Sequence, residues 1–294
     1  MSLQPAEGSE RNALSTKASS AEPGSLRAIL GSLTTFYDRR WLIKYMAQRQ
    51  MSRGYQGSHL GLLWAFFSPL LMVVMFTLIF SKVLGIRFRT VTEDPSLNFG
   101  LYFYCGLLPF LAYSQALTMG VNVIRRNSDL VKGVVFPLEI LPLTTVLSSL
   151  IQNAYGVGAL MFVFLLLEHE VHLTVLLLPL VIIPQLLFTL GLCSLMAVAG
   201  VYVPDIRETL KAVVRMTFFI TPIIFPTGKV PPKYSFLVDY NPLAALVDTY
   251  RDLILLGKLP DPSQLLYFCS IAVVLFVVGF VVFNRVKHNF ADLL

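Results

Sequence analysis

The chain has 294 residues, of which 55% are hydrophobic and only 14% are charged. A soluble domain carries about a quarter charged residues, so this composition excludes an ordinary soluble enzyme. The net charge is +6, but the basic residues are not gathered on a soluble domain, which argues against nucleic-acid binding. Long apolar runs predict an all-α membrane protein that crosses the bilayer several times.

The N-terminal part divides into two segments. Residues 1–32 are predicted to form a disordered cytosolic tail, because the first 25 are polar, rich in Ser, Ala and Glu, and lack the apolar core of a signal peptide. Residues 33–59 place apolar side chains such as Trp41 and Tyr45 at helical spacing among arginines, which predicts an amphipathic helix in the cytosolic interface. Such a helix either sets the angle of the first span or contacts a partner or an anionic lipid head group.

Residues 60–294 are predicted to form a transmembrane domain with six spans. Five uncharged stretches approach or exceed the ~20 residues needed to cross the hydrocarbon; they are Leu60–Ser81, Leu97–Ile124, Ile140–Leu167, Leu173–Pro204 and Gln264–Asn284. The sixth, Met216–Gly228, has only 13 residues and contains two prolines. It can span only if the preceding basic residues, Lys211–Arg215, snorkel at its start.

The segment Val230–Leu259 is too polar for a span and too apolar for a free loop. We expect short re-entrant helices here, which are tolerated where protein or a water-filled path covers the backbone. Asp248, Arg251 and Asp252 lie at i, i+3 and i+4, which permits an internal ion pair that makes partial burial less costly. The alternative is an exposed outer helix with local pairing.

The distribution of Lys and Arg predicts the orientation. With a cytosolic N-terminus, thirteen basic residues flank the spans inside and seven lie outside, so the positive-inside rule places both termini in the cytosol. The first outer loop, with Lys82, Arg87 and Arg89, argues the other way. This orientation puts residues 127–142 on the cytosolic side.

The stretch NSDLVKGVVFPLEILPL (residues 127–143) interrupts two apolar runs with charges and prolines. Asn127 or Ser128 can cap a short helix, with Asp129 near the positive end of its dipole and Pro137 as a stop. An apolar face that suits a groove on a partner would come from Leu130, Val131, Val134 and Val135. The alternative is an ordinary loop packed against the helix ends.

The sequence contains no catalytic or metal motif. There is no G-x-x-x-x-G-K-[ST] phosphate loop, no converging nucleophile and base, and no spacing typical of zinc ligands. The EHEVH segment (residues 168–172) lacks the H-E-x-x-H spacing, and the three cysteines lie in apolar runs. We therefore predict no enzyme, no metal site and no cofactor bound by this chain.

Four stretches in order resemble one family, the transmembrane subunits of bacterial polysaccharide exporters among the type-2 ABC transporter permeases. They are RGYQGSHLGLLWAFFSPLLMVVMFTLIF (residues 53–80), FYCGLLPFLAYSQAL (103–117), LVKGVVFPLEILPL (130–143) and DYNPLAALVDTYRDLILLG (239–257). The sequence departs from the family pattern at VYVPDIRETL, where Pro204 stands in place of a common Arg. The N-terminal tail is also longer than the family's.

The resemblance implies a bacterial inner-membrane exporter made of two copies of this chain and two ATPase subunits, which bind ATP and Mg²⁺. Its substrate would be an undecaprenyl-pyrophosphate-linked glycan. The residues expected to dock the ATPase are Asn127, Asp129, Leu130, Lys132, Phe136 and Glu139.

Two further sets of residues are expected to meet the substrate. Sugars stack on aromatic faces, so the path aromatics are predicted to be Trp64, Phe67, Tyr102, Tyr104 and Tyr113; lipid-facing positions are the alternative. Arg49, Arg53 and Tyr55 are predicted to hold the anionic lipid head at the cytosolic entrance, because arginine forks match phosphate. The positive-inside bias explains these arginines almost as well.

The favoured function is export of lipid-linked polysaccharide, with O-antigen first among the possible glycans. Capsule or teichoic acid export belongs to the same family and stays open. A drug efflux permease and a membrane glycosyltransferase are the more distant alternatives, and the second would need acidic catalytic residues beyond the weak group at Asp205–Glu208.

Overall fold

A computed structural model describes residues 38–53, 60–80, 98–133, 136–169, 171–203 and 205–294. The predicted tail, the basic residues of the first outer loop and Tyr55 lie outside the described residues. The described residues form helices and no β-strand, which confirms the all-α class.

Eleven α-helices are present in this part of the chain. They are α1 Arg40–Arg53, α2 Trp64–Leu78, α3 Phe99–Gly120, α4 Ser128–Gly133, α5 Ile140–Glu168, α6 Leu178–Tyr202, α7 Ile206–Ile220, α8 Phe236–Asp239, α9 Pro242–Arg251, α10 Pro262–Val286 and α11 Phe290–Leu293. A five-residue π-helical turn, Asp252–Leu256, follows α9.

Polar residues in front of the helices explain where three of them begin. The side-chain oxygens of Asn98, Asn241 and Asp261 each accept a hydrogen bond from the backbone N–H two residues on, which caps α3, α9 and α10. Proline follows the cap in α9 and α10, where its missing N–H costs nothing. The backbone and side-chain hydrogen bonds from Ser263 lower the pKa of Asp261.

The helices confirm several membrane spans but not the predicted six. Helical segments Ile140–Leu167, Leu173–Tyr202 and Pro262–Leu293 are long and apolar enough to cross a bilayer, and α3 makes a fourth if the segment Arg125–Gly133, bent from it by 59°, is counted with it. Helix α2 is apolar but shorter, with 15 residues.

The predicted sixth span, Met216–Gly228, is not one helix. Helix α7 ends at Ile220, and Thr221 is extended with φ −78° and ψ 135°. The physical reason is Pro222, whose ring disfavours the helical conformation of the residue before it. The chain therefore breaks in the middle of this apolar stretch, and its exposed backbone groups need partners from elsewhere.

Helix α3 forms the centre of the bundle, and the pair α6–α10 packs beside it. Seventeen of the 22 residues of α3 are buried. In the α6–α10 pair, a Cβ on Gly279 would overlap the carbonyl oxygen of Gly191. Small residues at this crossing let the two backbones touch, as is typical of helix packing in membranes.

Arg251, at the end of α9, supplies hydrogen bonds where the chain breaks after α7. Its side chain is only 2% exposed. Nη1 donates to the carbonyl oxygen of Pro222 at 2.7 Å, and Nη2 donates to that of Ile223 at 2.8 Å. The guanidinium also lies 3.7 Å from the centre of the Tyr102 ring, an arrangement favoured by cation–π attraction.

The predicted ion pair within this segment is present. Nη1 of Arg251 lies 3.3 Å from Oδ1 of Asp248, whose other oxygen accepts a 2.6 Å hydrogen bond from Thr227. Space for the guanidinium comes from Gly106 of α3, because a Cβ there would lie 2.6 Å from Nη2. Helix α9 is buried from Leu243 to Arg251 apart from the half-buried Asp248, so the alternative of an exposed outer helix is wrong.

Side-chain contacts assign the connecting segments to two ends of the bundle. At one end, Thr174 donates to the carbonyl oxygen of Leu253 at 2.7 Å, and His172 lies 3.1 Å from that of Leu255. At the other end, α4 contacts α11, and Glu139 pairs with Lys287. The charge distribution predicts that the first of these ends is the outer one and the second is cytosolic.

Replacing Arg251 by Met should destabilise the protein strongly. The change leaves two backbone carbonyls and Asp248 without their buried donor, and removal of one partner of a buried ion pair costs roughly 3–5 kcal/mol. Denaturant unfolding in detergent measures the loss. The control is Lys211→Met in the exposed Glu208–Lys211 pair, where we expect less than about 1 kcal/mol; equal losses for the two variants would contradict this role of Arg251.

Candidate functional site

Helix α1 lies along α5, with one face buried in the contact and the opposite face exposed. Ile43 and Ala47 are buried in the contact. Trp41 and Tyr45 stack on one another with ring centres 6.1 Å apart on the opposite, exposed side, and Trp41 is 77% exposed. The helix predicted in residues 33–59 therefore exists from Arg40 to Arg53, and its place in the membrane interface stays a prediction.

A cavity of about 450 Å³ opens between α1, α3 and the first half of α5. Arg49 of α1 and Arg126, which follows α3, bring positive charge to it. The remaining wall is mainly amide, hydroxyl and methionine side chains; among them are Gln50, Gln115, Met119, Thr144, Ser148 and Gln152. We call it the lower cavity, since it lies at the same end of the bundle as α4.

A second cavity of about 240 Å³ lies further along α3 and α5, next to α2. Its wall contains Ser68, Ser114, Ser149, Asn153 and Tyr104, and no charged residue. Asn153 is buried, and its Oδ1 has no hydrogen-bond partner, although its amide group donates to the Tyr250 hydroxyl at 3.3 Å. We call this the upper cavity.

The two cavities share the residues Gln115 and Gln152. Nε2 of Gln115 donates to Oε1 of Gln152 at 2.5 Å, so the pair links α3 to α5 where the cavities meet. The hydroxyls of Thr144, Ser148 and Ser149 donate to carbonyls of their own helix. These hydroxyls keep free acceptor capacity, so the groove between α3 and α5 offers polar groups inside a largely apolar bundle, with charged residues only at its lower cavity.

Of the residues predicted to hold the lipid head group, one is placed at the lower cavity. Arg49 lines this cavity. Arg53 ends α1, and Tyr55 lies outside the described residues. Their role toward a head group stays a prediction.

The predicted path aromatics separate into three environments. Tyr104 borders the upper cavity. Tyr102 and Tyr113 are buried in the core: Tyr102 lies under Arg251, and the Tyr113 ring is 5.9 Å from that of Phe188. Trp64 is half-buried, and Phe67 is exposed on the outer side of α2. In this arrangement, packing in the core explains the aromatic side chains of Tyr102 and Tyr113.

The predicted short helix is α4, Ser128–Gly133, but it is not capped as expected. Residues Arg125–Asn127 form a 3-10 helix that leads directly into it, and Ser128 itself has helical angles, φ −51° and ψ −37°. A capping residue needs an extended backbone. The Asn127 side chain instead donates to the carbonyl oxygen of Val123 at 2.7 Å.

Helix α4 rests on the protein's own core, contrary to the expectation of a free apolar face. Leu130 and Val131 pack on a small cluster formed by the segment after α3, the first turn of α5, the ends of α6 and α10, and α11. At its centre lies Phe290, which is 0% exposed, with its ring 5.5 Å from that of Phe283. The sequence did not predict this core beneath α4, because the residues around Phe290 resemble a polar chain end.

Polar contacts fix the ends of the segment that carries α4. Arg125 donates from Nη2 to the carbonyl oxygen of Val201 at 3.1 Å. Glu139 forms a half-buried ion pair with Lys287, and Phe136 packs against both core clusters. Of the six predicted docking residues, Asp129 and Lys132 are exposed, whereas Asn127, Leu130, Phe136 and Glu139 are half-buried.

Sequence reasoning also missed Gln115, Gln152 and Lys287. The two glutamines carry a usable signal, because polar side chains within apolar spans face the bundle interior or a water-filled cavity and mark functional pathways. Lys287 carries no such signal in the sequence, because its partner Glu139 lies 148 positions away.

Several long apolar helices around a polar groove, with a short helix exposed at one end, define a multi-pass membrane protein. The sequence pattern of the family described as "ABC-2 type transporter" matches residues 42–255, and the chain belongs to this family. Among similar proteins, the O-antigen export system permease protein RfbA of Myxococcus xanthus is 27% identical over 87% of this chain and 96% of its own length.

Two further relatives are similar over most of the chain. The RfbA protein of Klebsiella pneumoniae is 26% identical over 86% of this chain and 95% of its own length. The polysialic acid transport protein KpsM of Escherichia coli is 24% identical over 76% of this chain and 85% of its own length.

Exchanging the charges of the Glu139–Lys287 pair tests the attachment of α4 to the C-terminus. Glu139→Lys and Lys287→Glu should each lower the free energy of unfolding, because each places like charges together at a half-buried site. The double variant should recover part of the loss, with an interaction energy of about 0.5–3 kcal/mol. Unfolding of all four proteins in detergent measures it, and strictly additive effects would show that the pair is not a working contact.

Proposed function

We propose that this chain is the membrane subunit of an ATP-driven exporter that moves lipid-linked polysaccharide, with O-antigen as the favoured cargo, from the cytosol across the bacterial inner membrane. The observation that carries the proposal is the similarity, along nearly the whole length, to permeases named for O-antigen export. Because the family consists of transporter permeases, the chain acts by conducting its cargo and not by chemical catalysis.

The lower cavity supports a cargo with an anionic end. Arg49 and Arg126 at this cavity suit the anionic phosphate groups of a lipid carrier. Amide and hydroxyl side chains also line it, and such groups exchange hydrogen bonds with sugars without requiring a charge.

Energy for uphill export comes in this proposal from a separate ATPase subunit, which binds ATP and Mg²⁺. The exposed residues Asp129 and Lys132 of α4 offer one charge of each sign to that partner. The packing of Leu130 and Val131 on the bundle supports docking, because a six-residue helix is not stable alone and here has a rigid base. Two copies of the chain and two ATPases form the proposed assembly.

The orientation follows from the charge distribution. Helix α1, α4 and the C-terminal residues share one end of the bundle, and this end carries most of the Lys and Arg near the spans. We place that end in the cytosol, where the ATPase and the lipid-linked precursor are, with α9 and the π-helical turn after it at the outer side.

A second candidate is capsule export. The similarity to KpsM proteins, named for polysialic acid transport, favours it, although it covers less of the chain than the similarity to the O-antigen permeases does. The lower cavity suits either cargo.

Deletion of the gene tests the proposed function. We expect surface polysaccharide to disappear and lipid-linked glycan to accumulate on the cytosolic side, since synthesis continues without export. Extraction of lipid-linked glycan and surface staining measure the two pools, and the composition of the missing glycan separates O-antigen from capsule. Restoring the intact gene is the control; unchanged surface glycan in the deletion strain would refute the proposal.

A further inference from the structure

We propose that a groove between α1 and α5 binds an anionic phospholipid of the cytosolic leaflet. The groove has a volume of about 420 Å³. One of its walls is a stripe of α1 between Arg40 and Gln48, and the other is a stripe of α5 between Leu143 and Ile151. The groove is separate from the lower cavity, because no described residue lines both. The inference therefore does not depend on which cargo the protein exports.

The α1 wall of the groove is basic. Arg40 and Lys44 lie one helical turn apart, and both side chains are exposed. Gln48 lies one turn further and adds an exposed amide. None of the described residues that line the groove is acidic. The charge at this wall is therefore positive and suits a lipid phosphate group.

The α5 wall of the groove is apolar and suits an acyl chain. Leu143, Leu147 and Ile151 recur at every fourth position and so share one side of the helix. Ile151 is 38% exposed. The helix rises about 12 Å from Leu143 to Ile151, at 1.5 Å per residue. Because α5 begins at the end of the bundle that carries α4, the apolar wall leads from the proposed cytosolic end toward the middle of the bundle.

Two aromatic residues beside the groove suit the level of the lipid head groups. Trp41 and Tyr45 each follow a basic residue of the groove, and they form an exposed stacked pair. Such side chains are enriched where a bilayer meets water. A phosphate at Arg40 and Lys44, with its acyl chain along α5, therefore has the order of head and tail that the cytosolic leaflet requires. The bound lipid fills the space next to the contact of α1 with α5 and helps to hold α1 on the bundle.

Photo-crosslinking to a phospholipid tests the site. The purified full chain is reconstituted in phosphatidylcholine nanodiscs with a trace of phosphatidylglycerol that carries a photoreactive group in one acyl chain. We expect adducts on the peptide that contains Leu143–Ile151, identified by mass spectrometry. A phosphatidylcholine probe with the same photoreactive chain should label this peptide at least fivefold less, because it has no net charge.

Two double variants with the same loss of charge separate a built site from general attraction to a basic helix. Arg40→Gln combined with Lys44→Gln should lower labelling by the phosphatidylglycerol probe roughly tenfold. The matched control combines Arg39→Gln with Arg49→Gln, at two positions that do not line the groove, and should change labelling less than twofold. Ile151→Trp fills the groove at an exposed position without changing the charge, and it should lower labelling at least fivefold.

Three results would overturn the proposal. Equal loss of labelling in the two double variants would show only a general attraction between α1 and anionic lipid. Stronger displacement of the probe by undecaprenyl pyrophosphate than by unlabelled phosphatidylglycerol would assign the groove to the carrier end of the cargo. Crosslinks between two copies of the chain at Ile151, in place of lipid adducts, would assign the groove to a protein interface.

Discussion

A broken helix inside a membrane domain needs hydrogen-bond donors for its open carbonyl groups, and in this protein Arg251 provides them. Backbone polar groups without partners are costly away from water, and the chain breaks at Thr221 because Pro222 follows. Arg251 reaches the carbonyl oxygens of Pro222 and Ile223. Its own charge is balanced by Asp248, so one side chain allows the chain to turn within an apolar stretch.

The position of Arg251 at the chain break also restricts which residues α3, the central helix, can have beside it. The guanidinium fits beside α3 only because residue 106 is glycine, and it faces the ring of Tyr102. Helix α9 is thereby held against α3, the helix that supplies Gln115 to the groove. The buried helix α9 and the polar groove are thus built on one common helix.

Helix α5 connects the proposed docking element with the groove. Its first residue follows Glu139, which is paired with Lys287, and Gln152 lies about 20 Å further along the helix axis, at 1.5 Å per residue. A displacement of the Glu139–Lys287 pair would therefore act on the first turn of α5. The α6–α10 pair contacts α4 through the cluster around Phe290.

The sequence was sufficient for the helical class and the Asp248–Arg251 pair, because these follow from local composition and helical spacing. It was insufficient for the sixth span, where the length of the apolar run outweighed the two prolines in the prediction. It also failed for the base of α4, since Phe290 and Lys287 come from the distant C-terminus. Contacts between residues far apart in sequence depend on packing, which helical periodicity does not encode.

The most direct test of the central claim, that the chain receives lipid-linked glycan at its cytosolic end, is site-specific photo-crosslinking in cells that make the lipid-linked precursor. A photoreactive amino acid at Arg49, in the lower cavity, should become attached to glycan, detected as a sugar-labelled adduct. The same residue at the exposed Leu166, on the outer surface of α5, should give none. Adducts at Leu166 but not at Arg49, with export intact, would contradict the account.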